Sequence, residues 1–488
     1  MSALQPFRDT FTNPWDKTLA AHLLNRTTFG AVPEDIQRAV DWGMERTIDY
    51  LVDFEKVADS DFPAPDTPGV PENPQKLLAD LKPEERKQKM QEFQRANREA
   101  IEETRGWWIR RMLKSKRPLQ EKMTLFWHGH FATSANDVKR ACLMLKQNEF
   151  LRANCLGNFR ELLLGISRDP AMLKYLDNNT NRRQHPNENY ARELMELFTL
   201  GIGNYTEDDV KAAARALTGW TFRGEEFVFN RRDHDDGLKT FLGRSDNLDG
   251  TDVIDIILEQ HCTARFMARK LLRYFVCDDP EPAVVEELAT MLRAKNYEFK
   301  PVVRAILQSE IFYSPKAYRT QIKSPAQLVV GSVRALGVTM NERAMAVAMR
   351  MLGQDLLYPP NVKGWDGGEA WINTTTLLMR YNLAGYLLNG QIPGEGEGKP
   401  PKPISPQARR LRLDRFGTPH HSLNEIYGPN IASEAVRLVD ALIARLLQAK
   451  LDGQARRWLI EQAEVITVSE RPTRVAHLIM SMPDYQLC

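Results

Sequence analysis

Long apolar runs are missing. No stretch of the 488-residue chain approaches the ~18 consecutive apolar residues that a membrane-spanning helix needs, so no membrane span is expected. Cysteine is scarce. Cys142, Cys155, Cys262, Cys277 and Cys488 are scattered and include no C-x-x-C pair. That argues against a disulfide scaffold or a thiolate zinc site and for reduced, mostly buried thiols of a cytosolic protein. An excess of one charge is lacking too. The 66 basic and 64 acidic residues leave a net charge of +2, so no global field favours nucleic acid or an anionic membrane surface, and neither partner is expected. The opening Met-Ser-Ala-Leu-Gln-Pro-Phe-Arg-Asp-Thr has no basic stretch followed by an apolar one, so the chain is expected to carry no export signal of its own. Gly-x-Ser-x-Gly, a Walker loop, a dinucleotide fingerprint after a strand and H-E-x-x-H are all absent. The common hydrolase, nucleotide-binding and zincin classes lose weight accordingly.

What is present is helical periodicity almost throughout. Leu19, Leu23 and Leu24 space a short amphipathic helix over 16–25, and Pro33 opens another carrying Ile36, Val40, Trp42, Ile48 and Leu51. Residues 62–74 are proline-rich and read as a loop. A charge run over 83–117, with Met90, Phe93, Trp107, Trp108 and Met112 interleaved, predicts one long helix with a solvated face. Thr206 and Asp209 form a capping box for a helix over 210–217. Residues 221–250, rich in glycine and aspartate around Phe222, Phe227 and Phe229, predict an irregular insertion with a small hairpin. Further helices are expected over 251–276, 282–295, 300–311, 324–337 and 341–353. The expected fold is mainly α: a helical core over 1–390, a flexible linker over 391–405, and a helical segment over 406–488 packing back on the core.

Four constellations carry chemistry. In Trp127-His128-Gly129-His130 an extended backbone would aim both imidazoles at one metal ion or anion, whereas on a helix they diverge by about 200°; one of them buried beside Trp127 is the plainer alternative. In His185-Pro186-Asn187-Glu188-Asn189-Tyr190-Ala191-Arg192-Glu193-Leu194-Met195-Glu196, Pro186 suits a first helical turn. At about 100° per residue His185, Glu188, Asn189, Arg192 and Glu196 then share a stripe, with Glu193 at its edge. Such a stripe is either a solvated face with a Glu188–Arg192 pair or an acid–base row in a cleft. The polar loop 177–184, starting at Asp177, precedes it. His234 and Asp235, followed by Lys239, could supply a base or metal ligands, or simply make a turn. Tyr358 to Asn373 carries Asn361, Lys363, Trp365, Trp371 and several glycines, a composition common where sugar rings stack and equally where a loop plugs a core.

These stretches resemble a known family. Ala20–Gly30, Lys122–Phe131, His185–Trp220 and Pro359–Asn373 look like the motifs of the large bacterial domain of unknown function numbered 1800, and the likeness runs from about residue 18 to the end. The resemblance assigns no reaction. It implies that the polar residues belong to shared motifs, and that a phosphatase- or sulfatase-like protein bearing a twin-arginine leader is a natural partner. Localisation is therefore expected to be cytoplasmic, or exported in folded form with that partner. The motifs are expected to converge on one polar cleft of an enzyme acting on a polyhydroxylated or anionic substrate, a sugar, glycan or ester. Glu188, Glu193, Glu196 and His185 are the acid–base candidates. Arg192, Asn187, Asp177, Lys239, Asn361 and Lys363 are expected to bind substrate, with Trp365 and Trp371 as a stacking wall. A variant has His128, His130, His234 and Asp235 holding a divalent metal that activates water. The alternative from a different class is a non-catalytic helical binding or chaperone-like partner of the phosphatase-like neighbour.

Overall fold

Proline writes many of the helix starts. It occupies the first helical position, where its missing N–H is not needed, in Pro33–Trp42, Pro83–Lys114, Pro118–His130, Pro170–Tyr175, Pro282–Ala294 and Pro325–Leu336. The computed structural model describes residues 4–10, 14–68, 82–389 and 423–488. The expected linker 391–405, residues 406–422 and residues 69–74 of the proline-rich loop lie outside them. The fold is mainly α-helical, with two two-stranded antiparallel sheets among the described residues. These sheets, Trp220–Arg223 with Glu226–Phe229 and Lys239–Phe241 with Arg244–Asp246, form the insertion over 221–250.

Several runs that read as continuous are broken by their backbone. The helix from Pro33 stops at Gly43, whose φ of +77° suits glycine, and restarts as Met44–Val52. Gln260 in extended conformation divides 251–276 into Gly250–Glu259 and His261–Phe275. The capping box forms: the Asp209 amide donates to Thr206 Oγ1 at 3.2 Å, and the Thr206 amide donates to Asp209 Oδ2 at 2.9 Å.

Two hydrophobic cores run through the molecule. One gathers Trp127, Phe131, Phe159, Phe198 and Phe299 with the helices 250–308. The other gathers Phe29, Trp107 and Trp108 with Leu328, Val333, Met345, Leu387 and the C-terminal helices Ala435–Leu446 and Arg471–Ser481. Pro118–His130 lies between them: Met123 and Trp127 enter the first core and Leu125 the second. Burying a large apolar side chain of this kind stabilises by roughly 1.5–3 kcal/mol, so this helix is anchored from both sides.

Candidate functional site

The histidine pair is helical to its end, with Phe131 as the C-cap. Gly129 does not break the helix, and the two imidazoles point into different cores. His128 Nε2 accepts the Leu357 amide at 3.2 Å, and its ring meets Trp108 edge-on at 5.2 Å and Trp365 at 5.8 Å. Burial pulls its pKa down to about 4. His130 Nε2 lies 3.1 Å from the Phe198 carbonyl and its Nδ1 2.9 Å from Lys270 Nζ. A carbonyl only accepts, so Nε2 carries the proton and Nδ1 accepts from Lys270. Burial, with the Lys270 charge, holds His130 well below its usual pKa.

Each histidine therefore positions something else. Leu357 has a φ of +66°, an outlier for a bulky residue. It is pinned by His128 on its N–H and by the Ala135 amide on its carbonyl, at 2.9 Å. From there Tyr358–Trp371 returns over Gly129. A Cβ on Gly364, whose φ is +82°, would fall 2.2 Å from the Gly129 carbonyl oxygen, so these two backbones touch only because Gly364 lacks a side chain.

This approach closes one wall of a cavity of ≈ 250 Å³. The helix Pro118–His130 supplies Lys122, Phe126 and His130, the helix His261–Phe275 supplies Lys270, Arg273 and Tyr274, and the late loop supplies Lys363, Trp365 and Trp371. Lys122 is buried, donates to the Thr28 carbonyl at 3.2 Å and sits between the Phe29 and Tyr274 rings. Burial lowers its pKa to about 7. Lys270 packs on Phe266; burial, then the Arg273 and Lys363 charges, lower it to about 8. The carboxylates on the lining are Asp278 and Asp366, and Asp366 pairs with Lys363. Four cations face two carboxylates, so the cavity suits an anion, and Trp365 and Trp371 offer an apolar surface beside it.

Of the residues singled out in the sequence, His130, Lys363, Trp365 and Trp371 line this cavity, and His128 stands behind it. Asn361 shapes the loop by accepting the Lys363 amide at 3.0 Å. The other candidates sit elsewhere. The helix expected from Pro186 begins at Asn189 and turns into a π-helix over Leu194–Thr199. Asparagine side chains capture the backbone first: Asn181 Oδ1 accepts the Asn187 amide at 2.8 Å, and Asn187 Oδ1 the Asn189 amide at 3.0 Å. With His185 to Glu188 ahead of the helix and Glu196 inside the π turn, the single stripe does not form. His185 is exposed. Arg192 grips Glu207 with bonds of 2.7 and 2.8 Å and reaches Glu188 at 3.2 Å. Glu196 accepts from the Tyr205 hydroxyl at 2.8 Å. Glu193 is raised by burial and by Glu196. Asp177 adopts φ +57°, and its carbonyl accepts from Thr180 and Asn187. None of these lines the cavity.

His234, Asp235 and Lys239 form a third group that ties the hairpins to the helix Glu207–Ala216. His234 Nδ1 donates to the Thr218 carbonyl at 2.9 Å. Arg215 holds Asp235 through Nε at 2.6 Å and pulls its pKa down. The buried Lys239 donates to the Gly237 carbonyl at 3.0 Å. The four residues considered for a metal are thus not brought together, and the described residues contain no group of three or more His, Cys, Asp or Glu able to hold an ion. No helix among them is long and apolar enough to cross a membrane.

Lys122, Lys270, Arg273 and Asp278 carried no role in the sequence reading. The signal for Lys270 is its spacing: Phe266, Lys270 and Tyr274 stand four apart on one helical stripe, and the amine packs on the Phe266 ring.

A family model described as "Protein of unknown function (DUF1800)" matches residues 22–487. No curated protein and no solved structure matches the chain.

Proposed function

Since the chain belongs to this family of unknown function across nearly its whole length, membership assigns no reaction, and we propose from the cavity's own chemistry that the protein is an enzyme acting on a small organic anion. The observation that carries this reading is the gathering of Lys122, Lys270, Arg273 and Lys363 with Trp365 and Trp371 around one cavity. Lys122 is buried and Lys270 half-buried, while Arg273 and Lys363 stand exposed at the rim; the two partly desolvated cations bind an anion more strongly than exposed ones, because water competes less for both partners. The tryptophans cover the organic body of the ligand and exclude water. The acid–base group at the site is the Lys270–His130 pair rather than the glutamates of 188–196. A divalent cation gains less here than an anion, since the lining is net positive. Lys122 and Lys270 hold their protons below about 7 and about 8, so anion affinity falls as pH rises through that range.

Titration calorimetry with phosphate, a series of mono- and dicarboxylates, and glycerol tests the reading. The anions bind and glycerol does not. A hydrogen bond to a charged group contributes about 1.5–3 kcal/mol, so Arg273→Ala weakens binding roughly 10- to 100-fold, while Arg192→Ala leaves it unchanged. Equal affinity in Arg273→Ala and the wild type, or loss of binding in Arg192→Ala, sinks the proposal.

A further inference from the structure

We propose that Lys270 is a nucleophile that forms an imine with a carbonyl compound carrying an anionic group, such as a 2-oxo acid. This deepens the preceding reading and rests on it. The geometry around Nζ is the argument. His130 is locked by the Phe198 carbonyl with Nδ1 as acceptor, and it takes one N–H of Lys270 at 2.9 Å. That bond orients the amine, leaving its lone pair and second N–H for the cavity it lines. Arg273 and Lys363 border the same space from the lysine's own helix and from the late loop, placed to hold a carboxylate while the carbonyl carbon meets Nζ. Phe266 packs under the amine, and Trp365 and Trp371 keep water from the wall, which favours loss of water in forming the imine.

The titratable and charged groups that line this cavity with Lys270 are Lys122, His130, Arg273, Tyr274, Asp278, Lys363 and Asp366; His130 bonds the amine, and the Arg273 and Lys363 charges act on it. The cations and burial together favour the neutral, nucleophilic amine.

The step balances without oxidant or reductant. The Nζ lone pair adds to the carbonyl carbon and the C=O π pair moves to oxygen. His130 Nδ1 relays the two amine protons to that oxygen in turn. The C–O bond then breaks, oxygen departs as water, and the nitrogen pair forms the C=N bond.

The test is reductive trapping on the full chain. Glyoxylate, or glycolaldehyde as a neutral carbonyl of similar size, is added with sodium cyanoborohydride, and labelled lysines are located by peptide mass spectrometry. The expected result is glyoxylate labelling of Lys270 at least about tenfold faster than of the exposed Lys211, and about tenfold faster than by glycolaldehyde. Its rate rises with pH through about 8. Lys270→Arg keeps a cation and a folded circular-dichroism spectrum but loses the label. A label spread over surface lysines without preference for Lys270, or no preference for glyoxylate, overturns the inference. Phosphate binding measured on the same sample separates the two failures. If phosphate binds and Lys270 is unlabelled, the imine alone falls; if neither occurs, the anion site falls with it.

Discussion

Gly364 shows how one atom can set a site. Its backbone, at φ +82°, rests on the Gly129 carbonyl, and an added Cβ would fall 2.2 Å from that oxygen. Gly364→Ala therefore combines an unfavourable φ with a clash against rigid backbone. The expected outcome is a loss of about 2 kcal/mol or more in urea unfolding, with weaker phosphate binding because Lys363 and Trp365 move together. Wild-type stability and affinity in this variant would show that the loop does not rest on the histidine helix. The glycine between the two histidines suggests a bend when read in isolation. Its purpose, admitting a segment more than two hundred residues away, has no local signature.

Elements divide into parts with different physical duties. The charged helix Pro83–Lys114 is exposed over its first half, where Arg95 pairs with Glu99 at 2.9 Å in solvent. Its second half is buried with Trp107 and Trp108, where Arg111 Nε meets the fully buried Glu121 at 2.6 Å. Trp108 Nε1 and Arg152 also donate to Glu121, and Trp108 abuts His128, so this network braces the site from behind. Arg95→Ala should change stability by no more than about 0.5 kcal/mol, as exposed pairs do. Glu121→Ala should cost about 3–5 kcal/mol, because it strands buried guanidinium groups. Urea denaturation distinguishes them, and similar costs for both would refute this division. Mixed charge predicted a solvated face along the whole helix; the structure instead divides it lengthwise, exposed up to about Ala96 and largely buried from Asn97 onward. The π-helix Leu194–Thr199 had no mark in the sequence. Within it the Phe198 carbonyl accepts from His130, sixty-eight residues away in the chain, a contact that no local pattern announces.

The whole molecule stores pH sensitivity in its interior. Burial, aided at His22 by Arg26, lowers His22 to about 3, and burial lowers His128 to about 4. An unfolded histidine takes up a proton near pH 6.5. Below that pH the unfolded chain binds more protons than the folded one, so stability falls as pH drops from about 6.5 towards 4 for His128 and towards 3 for His22. Each contributes roughly 3–5 kcal/mol over its window. Asp169 acts the opposite way: burial raises it to about 6, so it gains a proton in the folded state first and adds stability as pH falls from about 6 to its ordinary value. Two histidines outweigh one aspartate. Urea midpoints compared at about pH 7 and about pH 4.5 should show clear destabilisation on acidification; a midpoint that stays level or rises contradicts the balance.

By itself the amino-acid order determined the helical class, most helix starts and the insertion over 221–250, because proline, capping pairs and apolar periodicity act over a few residues. It also named His130, Lys363, Trp365 and Trp371. Which residues share a cavity was decided only by packing. The 200° turn between His128 and His130 sends one ring into each core. The late loop then lands over Gly129, Lys270 arrives from a helix with no motif of its own, and the glutamates of 188–196 stay off the cavity lining. Contacts across hundreds of residues depend on how two cores close around one helix, and no local pattern encodes that.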